Sequence, residues 1–266
     1  MNRKKMRGFT LVELIMVIII TGIMAATLTI FLKPVIDSYF DTRRRADLSD
    51  IADTALRRMA KDIRSAVPNS IRSVSPTCFQ LVPTIAGGRY RMAPDTVTAG
   101  SAYIDSSLAT SAFDVLSPLS QTPVSGDWVV IDNQTGADVY TGSNRAQVNT
   151  VTTPATGLHR ISLASPTQFP VGYDGGRFVV VPNAEQTVFY NCAGRVLYRT
   201  VQDFNIAACP ASGGAVVATD VASCSFVYDP NQGATQQSGF VWMQLQLSRS
   251  GESVALTHGV HVDNVP

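Results

Sequence analysis

The sequence predicts an α+β protein: one long, kinked N-terminal helix, half membrane-type and half amphipathic, packed on a mostly antiparallel β-sheet domain. Three observations predict it. Residues 9–32 form an apolar run of twenty-four positions with a single charge, Glu13. Over residues 48–66 apolar side chains recur at three- and four-residue steps. Past Val67 the chain changes to short runs of β-branched and aromatic residues separated by Ser, Thr, Gly and Pro.

The apolar run is long enough to cross a bilayer, since about 20 residues suffice for a helix. Basic residues Arg3, Lys4, Lys5 and Arg7 precede it. The positive-inside rule keeps them in the cytoplasm and sends the rest of the chain outward. A carboxylate near the centre of a spanning helix costs about 2.5–3.5 kcal/mol, so Glu13 calls for a partner and a function. Cleavage after Gly8 creates an amine at Phe9, four positions away. A basic stretch before an apolar run also describes a secretory signal peptide or a plain signal anchor. The run exceeds a usual signal-peptide core, however, and a plain anchor gives no reason for Glu13.

Pro34 kinks the helix by removing the bond to the Ile30 carbonyl. Beyond it Leu48, Ile51, Ala52, Ala55, Leu56, Met59, Ile63 and Ala66 mark one face. Asp50, Asp53, Arg57, Arg58, Lys61, Asp62 and Arg64 lie between them. Pro68 disfavours helical geometry at Val67, so the helix is expected to end there, before a turn at Asn69-Ser70. Residues 9–66 as one helix run about 87 Å at 1.5 Å per residue. The membrane half is expected to project from the domain and the amphipathic half to pack on it.

In the remaining chain, residues 78–82 alternate as a half-buried strand does. Residues 128–131, 160–163, 177–181 and 224–228 are further strand candidates. Residues 187–190 and 195–199 read as a hairpin through 191–194. The clearest hairpin is the last, 240–247 and 253–262 around Arg249-Ser250-Gly251-Glu252. It places Val241, Met243, Leu245 and Leu247 on one face and Trp242, Gln244, Gln246 and Ser248 on the other. Residues 94–126, 142–157 and 207–223 read as long loops. The organisation expected is a leader at 1–8, an apolar helix at 9–32, an amphipathic half at 33–67 and one β-rich domain at 68–266.

Charge and cysteine usage narrow the function. Of 21 basic residues the leader holds four and residues 33–66 hold eight. Past Val67 nine Arg face thirteen Asp or Glu, about four negative charges, which argues against a nucleic-acid partner. Cys78, Cys192, Cys209 and Cys224 lack Cys-x-x-Cys spacing, and an even count in an oxidising compartment suggests disulfides. Four cysteines allow three pairings. Cys209 with Cys224 is favoured, as the closure of a small-residue loop, and Cys78 with Cys192 follows by subtraction.

Catalytic and cofactor signatures do not emerge. His258 and His261, three apart on a strand, point to opposite faces, and no metal site is expected. There is no Gly-x-Ser-x-Gly elbow and no His-Glu-x-x-His. Ala86-Gly87-Gly88-Arg89 and Asp174-Gly175-Gly176-Arg177 read as glycine turns without a phosphate-binding pattern. Asn133-Gln134-Thr135 matches a glycosylation sequon and reads as a surface turn. No enzyme activity and no cofactor are expected.

Gly8-Phe9-Thr10-Leu11-Val12-Glu13, behind its basic leader, resembles the cleavage and methylation motif of type IV prepilins and type II secretion pseudopilins. The resemblance implies a pilin-like fold and cleavage by a prepilin peptidase between Gly8 and Phe9. It further implies methylation of the Phe9 amine, and Glu13 neutralising that amine on a neighbouring subunit. Residues 55–72 look like the end of the first helix in larger minor pilins and J-type pseudopilins. Residues 191–198 and 260–266 are similar to MshO-type minor pilins of the mannose-sensitive haemagglutinin pilus. The partners implied are the peptidase, other major and minor pilins and an inner-membrane assembly platform. The location implied is the inner membrane, with the domain in the periplasm and then on the pilus. A J-type pseudopilin and a pilin-stemmed adhesin are the alternatives.

Overall fold

A computed structural model describes residues 8–170, 175–205, 208–211, 213–232 and 238–263. The basic leader, Asp174 and residues 264–266 therefore lie outside the described residues. The elements in order are α1 (Leu11–Arg64), β1 (Arg72–Ser75), β2 (Cys78–Leu81), β3 (Ala86–Arg89), β4 (Thr110–Val115), β5 (Trp128–Val130), α2 (Asp138–Thr141), β6 (Arg145–Thr152), β7 (His159–Thr167), β8 (Arg177–Val181), β9 (Thr187–Ala193), β10 (Val196–Gln202), β11 (Ala215–Thr219), β12 (Val221–Gln232), β13 (Ser238–Arg249) and β14 (Glu252–Asp263). The chain forms two compact units that divide between Asp47 and Leu48.

In the first unit every residue from Gly8 to Phe40 is exposed. Pro34 sits inside α1, where its missing N–H leaves one helix carbonyl without its usual donor. In the second unit the remainder of α1 buries Leu48, Ala52, Ala55, Leu56, Met59, Ala60 and Ile63, the face its periodicity predicts. The helix ends three residues before Val67. Ala66 already bridges Pro83, and the Val67 N–H donates to the Val82 carbonyl at 2.8 Å, so the chain turns extended to join a strand before Pro68 requires it.

Among the described residues all strand pairing is antiparallel, in three sheets. One sheet runs β1-β2-β9-β10-β11 and a second β12-β13-β14. Their inner faces meet the packed end of α1 in one core, where Phe79 stacks on Tyr190 at 5.3 Å and meets Phe226 edge-on at 5.1 Å. Asp62 of α1 accepts hydrogen bonds from Tyr190 Oη (2.8 Å) and Arg199 Nε (2.9 Å), while Arg199 also donates to Glu185 at 2.6 Å. Burial chiefly, with the neighbouring Asp62 charge, pushes the Tyr190 phenol upward, so it stays a donor.

The third sheet runs β3-β8-β5-β6-β7-β4 and closes on itself. Tyr90 bridges Val115, the Leu116 N–H donates to the Arg89 carbonyl, and the Arg91 N–H donates to the Asp114 carbonyl. The result is a six-stranded barrel filled by Phe113, Val115, Val129, Ile131, Val148, Ile161, Phe178 and Val180. It is threaded between β2 and β9, which pair directly as neighbours in the first sheet. The sequence reading places only β5, β7 and β8 of this barrel. β4 and β6 fall in stretches expected to be loops, and β11 with the start of β12 falls in a third. The outward positions of β4 and β6 carry Ser, Gln, Asn and Thr, and their inward apolar residues are few enough to resemble loop composition. β3 occupies the expected Ala86-Gly87-Gly88-Arg89 turn. Its pairing with β8 holds the glycines extended.

Three further expectations are corrected. The β2 strand is buried on both faces rather than one, because the segment after β10 lies over its second face. There Gln80 Nε2 reaches the Asn205 carbonyl and Asn191 Nδ2 the Pro210 carbonyl. The disulfides pair Cys78 with Cys209 and Cys192 with Cys224. Cys78 pairs in register with Asn191, so it shares a face with that residue and not with Cys192, and a Cys78–Cys192 bridge is geometrically closed. Cys209 belongs to the segment covering the Cys78 face, while Cys192 and Cys224 border the helix core. Finally, the sequon residue Asn133 is buried at 2 % exposure. Its Nδ2 donates to the Pro68 carbonyl at 2.6 Å, and its Oδ1 accepts from the Val139 N–H and Asn144 Nδ2.

Candidate functional site

The first residues of α1 carry the chemistry singled out by the sequence, and their geometry is local and specific. Thr10 precedes the helix and Glu13 is its third residue. Glu13 Oε2 accepts from the Thr10 N–H at 3.0 Å and from Thr10 Oγ1 at 3.1 Å, while the Glu13 N–H donates back to Thr10 Oγ1 at 3.3 Å. This is a capping box: the threonine hydroxyl and the glutamate carboxylate each satisfy a backbone N–H that the first helical turn leaves without a partner. The Leu14 N–H then closes the first turn on the Thr10 carbonyl at 3.2 Å.

Sequence reasoning gave Glu13 one role, towards an amine, and missed this second one. The signal was present, since Thr10-x-x-Glu13 directly before an apolar run is the capping-box pattern. The capping contacts leave the carboxylate at the surface of the first turn. It stabilises the start of its own helix, and it stands exposed beside Phe9, itself 85 % exposed, where a neighbouring chain can reach it. Behind it Leu14, Ile15, Val17, Ile18, Ile20 and Met24 present apolar surface in every direction around the helix. A helix apolar all round is one built for burial in lipid or among other helices. It is the one helix among the described residues long and apolar enough to cross a membrane.

The other residues named from sequence sit elsewhere. The four cysteines brace the second unit in two bridges, one on each face of the β2–β9 pair. His258 pairs opposite Met243 and His261 opposite Phe240, so the two rings occupy opposite faces of β14. Within the barrel, Asp114 is fully buried and accepts from Arg160 Nε (2.6 Å), Thr156 Oγ1 (2.5 Å) and the Ala102 N–H (3.0 Å). Burial opposes its ionisation, but these donors outweigh it and hold its carboxyl below the ordinary range. With its acceptor capacity taken up by the protein itself, this group braces β4 against β7 and the preceding loop.

Residues 3–29 match the prokaryotic N-terminal methylation motif, a tenth of the chain that contains the whole of the capped segment. No curated protein and no solved structure matches the chain. The motif supports a protein of the type IV pilin and pseudopilin class. It implies processing by a prepilin peptidase and assembly at a membrane, and it suggests a structural subunit rather than an enzyme. The exposed apolar helix fits membrane anchoring.

Proposed function

We propose that the chain is a minor pilin, a structural subunit that primes assembly of a type IV pilus of the mannose-sensitive haemagglutinin type. The observation that carries the reading is the position of Glu13. A carboxylate stands at the exposed first turn of a helix whose following apolar surface has no partner within its own compact unit. In this reading the peptidase cuts between Gly8 and Phe9 and methylates the Phe9 amine. Before assembly the chain is held in the inner membrane, its leader in the cytoplasm and its β-rich part in the periplasm. It then leaves the bilayer among other pilins at the assembly platform. In the filament the Glu13 carboxylate neutralises the Phe9 amine of the adjacent subunit, a pairing that low-dielectric surroundings strengthen.

The likeness of residues 191–198 and 260–266 to MshO-type subunits supports the haemagglutinin system over a secretion pseudopilus. The barrel between β2 and β9 supports a second reading, in which the pilin stem delivers a binding module.

Mass spectrometry of the N-terminal peptide from the membrane or pilus fraction tests the processing. A chain beginning at Phe9 with one added methyl group is expected. An intact Met1 or a cut near Ala26 overturns the proposal. Glu13→Val is expected to be cleaved normally yet depleted from sheared filaments, and undiminished incorporation refutes the role given to Glu13.

A further inference from the structure

Beyond the filament stem, the outer wall of the barrel carries a cavity of about 410 Å³, within the range of small-molecule clefts. Its floor is apolar, made by Val130 of β5 and Val179 of β8. Gly87 of β3, in register with Val179, leaves that floor uncovered, and a Cβ there would stand 3.5 Å from Val179 Cγ1 and 3.3 Å from the Phe178 carbonyl oxygen. At its rim Arg89 and Arg177 face each other directly across the β3–β8 pair. Two like charges in that position repel.

The other seven arginines past Val67 each meet a partner. Arg91, Arg160, Arg199 and Arg249 pair with carboxylates, Arg145 and Arg195 donate to carbonyls, and Arg72 lies over the Tyr140 ring. Among the described residues the guanidinium groups of Arg89 and Arg177 make no hydrogen bond, ion pair or ring contact. Both are exposed and both line the cavity. Two planar forks rooted at opposed strand positions suit a carboxylate, which each can grip through parallel N–H donors. The cavity also holds Asp132, 7 % exposed and in a left-handed conformation at φ +55°, whose two oxygens both accept from Gln134 Nε2. Burial chiefly raises its pKa, and in either protonation state its carboxyl can hydrogen-bond a ligand hydroxyl.

We propose that this cavity binds a small hydroxylated carboxylate of the sugar-acid type. Its carboxylate lies between Arg89 and Arg177, its apolar face rests on Gly87, Val130 and Val179, and a hydroxyl faces Asp132. The arginine pair selects the carboxylate, and the apolar floor takes the body of the ligand.

The test is calorimetric titration of the full chain in detergent with glucuronate, with glucose as the analogue lacking the carboxylate, and with inorganic phosphate. A short glucuronate-containing oligosaccharide distinguishes a free acid from a residue within a polymer as the source. Saturable glucuronate binding is expected, at least tenfold weaker for glucose and for phosphate. Arg89→Gln, Arg177→Gln and Gly87→Val should each weaken it at least tenfold, the last while keeping both arginines. Arg177→Gln should unfold at the same temperature as the parent or higher, since it relieves the like-charge pair. Absence of saturable binding by both the acid and the oligosaccharide overturns the proposal. So does equal binding of glucose or phosphate, or unchanged binding in the variants. A lowered midpoint for Arg177→Gln also overturns it, by making the arginine pair a structural element.

Discussion

The two halves of α1 obey opposite rules within one unbroken helix. From Leu11 to Phe40 every residue is exposed and most are apolar, whereas from Leu48 onward apolar residues are gathered on one buried face. An acid in each half shows the difference. Glu13 turns back on its own first turn, while Asp62 reaches across to Tyr190 and Arg199. The difference teaches that the same backbone serves two solvents. The second half derives its stability from the sheets it packs on. The first half caps its own N-terminus locally and leaves its apolar surface for lipid or other chains.

Mutations in the two halves should separate these roles. The largest effect is expected from Ile63→Ala, which empties a fully buried site and should cost about 2–5 kcal/mol in denaturant unfolding. Ile18→Ala, the matched change in the exposed half, should leave that transition within about 0.5 kcal/mol. Equal losses would break the comparison.

Asp62→Asn comes next, because it weakens two hydrogen bonds to a charged acceptor, worth about 1.5–3 kcal/mol together with what Arg199 loses. The same cluster has a pH signature. Hydrogen bonds from Arg199 hold the Glu185 carboxyl below its ordinary value. A group so depressed stabilises the fold above the ordinary glutamate pKa, and that contribution is lost as pH falls through the lower folded value. Unfolding followed between neutral pH and pH 3 should therefore show a shallower acid decline in Glu185→Gln than in the parent.

The smallest effect belongs to the cap. Thr10→Ala should cost the start of α1 about 0.5–2 kcal/mol, seen as faster amide exchange over the first turn, with no change in the second unit. Glu13→Gln keeps the capping geometry, since glutamine also serves at that position, but removes the charge. If the charge is what joins subunits, Glu13→Gln should fall out of filaments as Glu13→Val does while its first turn stays protected. Normal incorporation of the glutamine variant would assign Glu13 to capping alone.

How much of this was legible in the sequence follows from where the information lies. The α1 periodicity, the β8 strand and the β13–β14 hairpin were readable because burial on one face writes a repeating pattern along the chain. The hairpin's Val241, Met243, Leu245 and Leu247 are all buried as their alternation requires. The barrel was not readable, since β3 contains two adjacent glycines and the exposed positions of β6 are polar, so local composition favours a loop. Closure through Tyr90 and Val115 depends on residues distant in sequence. The disulfide pairing failed for a related reason: which face Cys78 and Cys192 occupy follows from register, and register is a property of two strands together. At the N-terminus Glu13 was legible as the outstanding residue, but its reach to Thr10 was overlooked although the spacing displays it.

The barrel's place in the chain has one more consequence. It leaves the stem sheet after Leu81 and returns at Val188, two residues that sit opposite each other, while at its own root Ala86 faces Val180. Entry and exit are thus adjacent, and the host hairpin would need only a short turn in the barrel's stead. A guest inserted at such a joint does not alter how its host is threaded. Replacing the barrel by such a turn should therefore leave the pairing of β2 with β9 intact.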